Sequence, residues 1–130
     1  AAFPLFFEVA SPDQALATAK LLEEKFLKAG GMTTTLENSG QQWDAPNGWA
    51  PLQWIVYKGL LNYGLDEFAH QLKSNWTNAN LKVYQKTGKM TEKYDVWSNN
   101  AEASGGEYPN QDGFGWTNGV YMAMASISSA

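Results

Sequence analysis

WAPLQWIVYKGLLNYGLDEFAHQLKSNWTNANLKV, residues 49–83, decides the fold of this chain. Its first part, Trp49 to Tyr63, is apolar on most sides, as a helix covered by its neighbours must be. Gly64 can supply the left-handed residue that ends it. A second helix starts almost at once, because Leu65, Phe68, Ala69, Leu72, Trp76 and Ala79 recur as one stripe at helical spacing. Asp66 and Glu67 stand at its positive N-terminal end, with Lys73 and Lys82 further along. Residues 49–83 therefore read as an antiparallel helical hairpin.

Upstream, Ser11 is placed as an N-cap, Pro12 as the first helical residue and Gln14 as the partner that completes a capping box. Ala15, Ala19, Leu22 and Phe26 continue as one apolar stripe until Gly30-Gly31, with Lys25 and Lys28 near the end, which predicts a helix over residues 12–29. Residues 32–48 have turn chemistry throughout. Loops beyond about 12–15 residues are uncommon inside compact domains and are often functional. A second such stretch, rich in Gly and Asn, runs over residues 87–115, and Trp116, Val120, Ala123 and Ile127 predict a closing helix. No strand alternation of useful length and no internal repeat is visible. The expectation is an all-α unit of helical hairpins over residues 1–130, with its long loops gathered at one end.

Composition excludes several function classes. At 130 residues, 44% hydrophobic and 17% charged, the chain is too apolar to be disordered. Its formal net charge of -4 offers no positive field for phosphate, so a nucleic-acid partner is not expected. No stretch approaches the ~20 apolar residues of a membrane span. With no Cys there is neither a thiol nucleophile nor a cysteine metal site, and a single His argues against the usual zinc sites. No metal and no cofactor are expected.

Within the loops, 14% aromatic content lies among Gly, Asn, Gln and Asp. Aromatic rings can lie against the C–H face of a sugar while amides and carboxylates bind its hydroxyls. Trp43, Trp49 and Trp116 are candidates for that role, with core packing as the alternative for each. Glu92 stands between Lys89 and Lys93, next to Tyr94 and Asp95. Neighbouring cations favour the ionised carboxylate a general base needs. The alternative for Glu92 is a surface ion pair worth about 0–1 kcal/mol. His70 reads as a solvated surface residue, the Asn75-Trp76-Thr77 triplet as a chance match to a glycosylation motif, and Asn110-Gln111-Asp112-Gly113 as a turn, since it lacks the alternating oxygens of a calcium loop.

At the two long loops the chain resembles a known family. Gln41-Gln42-Trp43-Asp44-Ala45-Pro46-Asn47-Gly48-Trp49 with its continuation to Trp54 is similar to a signature of trehalases, a family of glycoside hydrolases. Gly88-Lys89-Met90-Thr91-Glu92-Lys93-Tyr94-Asp95-Val96 resembles a later motif, as do Gly105-Gly106-Glu107-Tyr108-Pro109 and the run from Gln111 to Val120. The order and spacing agree, and with Phe3-Pro4-Leu5 and Gly30-Gly31-Met32 the likeness covers nearly the whole chain.

The resemblance implies an (α/α)6 toroid that hydrolyses trehalose to two glucose molecules with inversion, using one carboxylic acid and one carboxylate base and no metal. It makes Glu92 the base, and places Trp43, Asp44, Asn47, Trp49, Glu107, Tyr108, Phe114 and Trp116 in the sugar pocket. The family's Pro-Gly-Gly-Arg-Phe signature and the segment carrying its general-acid Asp are absent. Residues 1–130 are thus expected to be the C-terminal part of such an enzyme, partnered by the remaining N-terminal part and inactive alone. The alternatives are a non-catalytic, sugar-binding or interaction module, and a fragment that self-associates through its exposed faces. The compartment stays open, with periplasmic or secreted expected before cytoplasmic.

Overall fold

Ser11 caps its helix as its sequence predicts: its hydroxyl accepts from Gln14 N–H at 3.2 Å, and Gln14 Oε1 accepts from Ser11 N–H at 2.9 Å. In the computed structural model, which describes residues 1–104 and 106–128, helix α1 spans Phe3–Phe6 and α2 Pro12–Leu21, followed by a π-helical segment Leu22–Phe26. Two short strands, β1 Leu27–Lys28 and β2 Gly31–Met32, form a hairpin. Strand β3 Asn47–Trp49 leads into α3 Ala50–Asn62, then α4 Asp66–Thr87, β4 Lys93–Asp95 and α5 Gly115–Ser126. The chain is predominantly helical, and among the described residues no helix is long and apolar enough to cross a membrane.

The hairpin read from residues 49–83 is the centre of the fold. Phe68, Ala69, Leu72, Trp76, Ala79 and Val83 of α4 are all buried, as are Val56, Tyr57 and Leu60 of α3. Each fully buried aliphatic side chain of this kind stabilises by about 1.5–3 kcal/mol. Gly64 ends the first turn with φ +70, and α4 runs four residues past its expected end to Gly88, which closes it at φ +72. At both positions the left-handed backbone is one that glycine adopts without a steric penalty.

Two local features differ from the sequence reading. The helix expected over residues 12–29 leaves α geometry after Leu21, and its last residues form the β1–β2 hairpin instead. The cause lies in α3. Gln53, buried within that helix, accepts from Met32 N–H at 2.8 Å through Oε1 and donates from Nε2 to Met32 C=O at 2.7 Å. A side-chain amide thereby satisfies both backbone groups of a buried residue, which a continuing helix could not allow. Asn75 of α4 holds the facing strand by donating to Lys28 C=O at 2.8 Å, so the amide of the Asn75 triplet serves packing.

The second difference is α1, which the periodicity did not reveal. It lies on α3 where Gly59 has no side chain: a Cβ there would meet Leu5 Cβ at 2.9 Å. Asn62 Nδ2 donates to the carbonyls of Leu5 and Phe6 at its end.

The loops are joined by a pairing that no strand signal announced. β3 and β4 are antiparallel, with Asn47 opposite Asp95, Gly48 opposite Tyr94 and Trp49 opposite Lys93. Gly48 permits it, because a Cβ would fall 2.6 Å from Val96 Cγ1 and 2.8 Å from Met32 O.

Gln53→Leu keeps the volume of this core but strands Met32 N–H and C=O. Each unsatisfied buried group costs about 1–3 kcal/mol, so the variant should unfold at clearly lower denaturant. A loss below about 1 kcal/mol would show that the amide is not what ties the β1–β2 hairpin to α3.

Candidate active site

Opposed residues of an antiparallel pair present their side chains on one face, so the β3–β4 register sets Trp49 beside Lys93. The Lys93 ammonium lies 5.5 Å from the centre of the Trp49 ring. Trp49 is 1% exposed and donates its indole N–H to Gln42 C=O at 3.2 Å. Trp43, 45% exposed, stacks on it with ring centres 3.8 Å apart and planes at 12°. Trp116, from α5, meets Trp49 edge-on at 5.8 Å, and Phe114 leans on Trp116 at 4.9 Å. Four rings from three segments of the chain thus make one continuous aromatic wall.

Glu92, one residue before β4, is fixed to this wall by its backbone. Its C=O accepts from the Trp116 indole at 3.1 Å and its N–H donates to Gln111 C=O at 2.8 Å. Thr117 anchors the preceding residue by donating to Thr91 C=O at 2.7 Å. The carboxylate is 4% exposed, and Lys93 is 0% exposed. Tyr108 donates its hydroxyl to Glu92 Oε1 at 2.6 Å, while Oε2 lies 3.5 Å from Lys93 Nζ, an ion pair too long for a hydrogen bond.

The surface ion pair considered for Glu92 is therefore not what forms. Lys89, its other flanking cation, turns away and pairs with exposed Asp112 at 2.7 Å. Chain neighbours separate because Lys93 is held on the ladder, whereas Lys89 lies in the turn between α4 and β4. The Lys93 ammonium is pushed below its ordinary range by burial, partly offset by Glu92. Hydrogen bonding to Glu92 pushes the Tyr108 hydroxyl up, since losing its proton would set two anions together.

Around this pair several buried polar atoms have no hydrogen-bond partner: Glu92 Oε2, Lys93 Nζ, Gln42 Oε1, Asn47 Oδ1 and Asn110 Oδ1. Buried polar groups are normally satisfied, so such a concentration calls for an explanation. Four acceptors and one donor are a set that a polyhydroxylated ligand can complete. Gln42 is brought in by Gly106, whose Cβ would lie 2.7 Å from Gln42 Cβ. Among the described residues no group of three His, Asp or Glu side chains could hold a metal ion.

The structure thus brings together Glu92, Trp43, Trp49, Tyr108, Phe114 and Trp116. Asn47 joins them through its amide, which donates to Gln42 C=O at 3.1 Å. Asp44 is occupied elsewhere, accepting from Thr35 Oγ1 at 3.0 Å and from Ser39 Oγ at 2.5 Å within its own loop. Glu107 is exposed beside Tyr108. His70 is half-buried rather than solvated, with Nδ1 enclosed and unpartnered. Sequence reasoning missed Gln42 and Asn110 as members of the site and Lys93 as a buried one. Only the pairing of β3 with β4 reveals the lysine, since a lysine between two loops reads as solvated.

The trehalase family model matches residues 1–128. Periplasmic trehalases from Salmonella schwarzengrund and Salmonella newport are each 47% identical over 127 residues, covering 98% of this chain. The chain spans 22% of the length of these relatives. The neutral trehalase of Saccharomyces cerevisiae superposes with a TM-score of 0.76 at 27% identity, covering 93% of this chain and 22% of that one.

The two stacked indoles should separate by substitution. Trp49→Ala should cost about 3–5 kcal/mol of unfolding free energy as a core deletion. Trp43→Ala should cost only about 0.5–1.5 kcal/mol, the worth of a stacked pair. Equal losses in chemical denaturation would make Trp43 a core residue.

Proposed function

The chain belongs to the trehalase family, and from that premise we propose that it supplies the general base and part of the sugar pocket of an enzyme that hydrolyses trehalose to two glucose molecules with inversion. The observation that carries this reading is the state of Glu92. Its carboxylate is 4% exposed, held at Oε1 by Tyr108, and free of protein hydrogen bonds at Oε2. An oxygen so placed can take a proton from water as that water attacks an anomeric carbon.

In the inverting reaction the water oxygen bonds to the anomeric carbon from the face opposite the leaving glucose. The glycosidic bond breaks as an acid protonates its oxygen, and the proton lost by water goes to Glu92. The acid comes from the part of the enzyme outside residues 1–130, about 6.5–9.5 Å from the base carboxyl as such reactions require. Helices α3, α4 and α5 form part of the (α/α)6 toroid, whose remaining helices pack on their outer faces. Trp43 stacks on Trp49 by one face, and its exposed surface suits the C–H face of a glucose ring. Asn47, Glu107, Phe114 and Trp116 complete this side of the pocket, while Asp44 braces the loop that carries Trp43. The periplasmic relatives support a periplasmic location.

The test uses the full-length enzyme that contains this chain. Glu92→Gln should lower kcat by about 10²–10⁴-fold, the range of general base catalysis, while trehalose still binds by calorimetry. Proton NMR of the first products should show α- and β-glucose in equal amounts, since one anomeric centre is inverted and the other untouched. Two α products would exclude inversion. Undiminished kcat in Glu92→Gln would exclude Glu92 as base, and binding without turnover in the parent enzyme would favour a sugar-binding module.

A further inference from the structure

The two oxygens of Glu92 have different neighbours. Tyr108 reaches Oε1, and the Lys93 ammonium flanks Oε2 while lying over two rings, 5.5 Å from the centre of Trp49 and 5.3 Å from that of Tyr108. A lysine buried to hold a fold would hydrogen-bond carbonyls, yet Lys93 Nζ has no such partner. Its surroundings are one carboxylate and two aromatic faces, all of them at the candidate base. Tyr108, expected to bind sugar, instead directs its hydroxyl at the same carboxylate.

We propose that Tyr108 and Lys93 are positioning residues that clamp Glu92, the tyrosine fixing Oε1 and the lysine setting the charge beside Oε2, so that Oε2 alone is presented to the attacking water. This rests on the reading of Glu92 as the base. The tyrosine donates to the ionised carboxylate, and the ammonium favours that same form.

The other groups around the site do not supply this. β3 carries no titratable side chain, and the one on α5, Tyr121, lines a groove with Leu81 and Tyr84. Tyr94 of β4 accepts from Thr91 N–H at 3.1 Å. Asp95 of β4 accepts from the N–H groups of Trp97 and Ser98. On the 106–114 segment, exposed Glu107 adds a negative field at Tyr108, and Asp112 is closed on Lys89.

The experiment measures kcat and KM for Tyr108→Phe and Lys93→Met in the full-length enzyme, with circular dichroism to confirm folding. kcat should fall about tenfold in each, with KM within about twofold. An undiminished kcat in folded variants overturns the clamp, and if it comes with a raised KM for Tyr108→Phe it returns that residue to sugar binding. If Lys93→Met does not fold, Tyr108→Phe decides alone, since its ring is retained on a partly exposed loop residue. Glu92→Gln separates the two levels. An active Glu92→Gln removes the base reading itself, whereas an inactive one beside undiminished kcat in Tyr108→Phe and Lys93→Met removes only the clamp.

Discussion

The antiparallel pairing of Asn47–Trp49 with Lys93–Asp95 is the constraint on which the site depends. It spans only three residues on each strand, too little to be stable alone. Its stability comes from what it is packed on. Gly48 sits within contact of Val96, Met32 and Gln53, and Val96 N–H donates to Pro46 C=O at 2.9 Å just beyond the ladder. A one-residue slip would turn Lys93 to the opposite face, away from Trp49, and detach the charge from the aromatic wall. Two loops far apart in sequence are thereby held in a single register.

That register makes a buried ion pair possible, and a buried pair is a costly way to hold a protein together. Removing two charges from water exceeds what their attraction returns unless other contacts help. Here the help is one tyrosine hydroxyl and two ring faces, while one oxygen and the ammonium keep no hydrogen bond. Such an arrangement is poor for stability, and it leaves one carboxylate oxygen open to a ligand. The exposed pairs Lys89–Asp112 and Lys86–Glu102 show the contrast. They are solvated and screened, one joining the end of α4 to Glu102 and the other joining two loop residues.

The helices supply rigidity rather than chemistry. α3 bears Gln53, which fixes the β1–β2 hairpin, and α4 bears Trp76, which packs edge-on against Tyr94 at 5.2 Å. α5 presents Trp116 and Thr117 to the backbone on either side of Glu92. The segment around Glu92 is thus irregular in conformation but tied by backbone hydrogen bonds to α5 and to Gln111.

What could be read without the structure was local. The capping box at Ser11, the stripe from Phe68 to Ala79 and the glycine after α3 each depend on residues within a turn or two, so neighbours in sequence sufficed. Glu92 and the tryptophans stood out because their residue types suit one chemistry, and the motif resemblance identified the family. The structure alone decided that residues 22–29 leave α geometry, that Lys93 and not Lys89 faces Glu92, that Tyr108 bonds the carboxylate, and that Asp44 serves its own loop. Apart from Asp44, whose partners lie in its own loop, those outcomes turn on contacts between separate segments of the chain. Periodicity carries no signal for a three-residue ladder, and residue type cannot tell a solvated lysine from one that a distant strand has carried into the core.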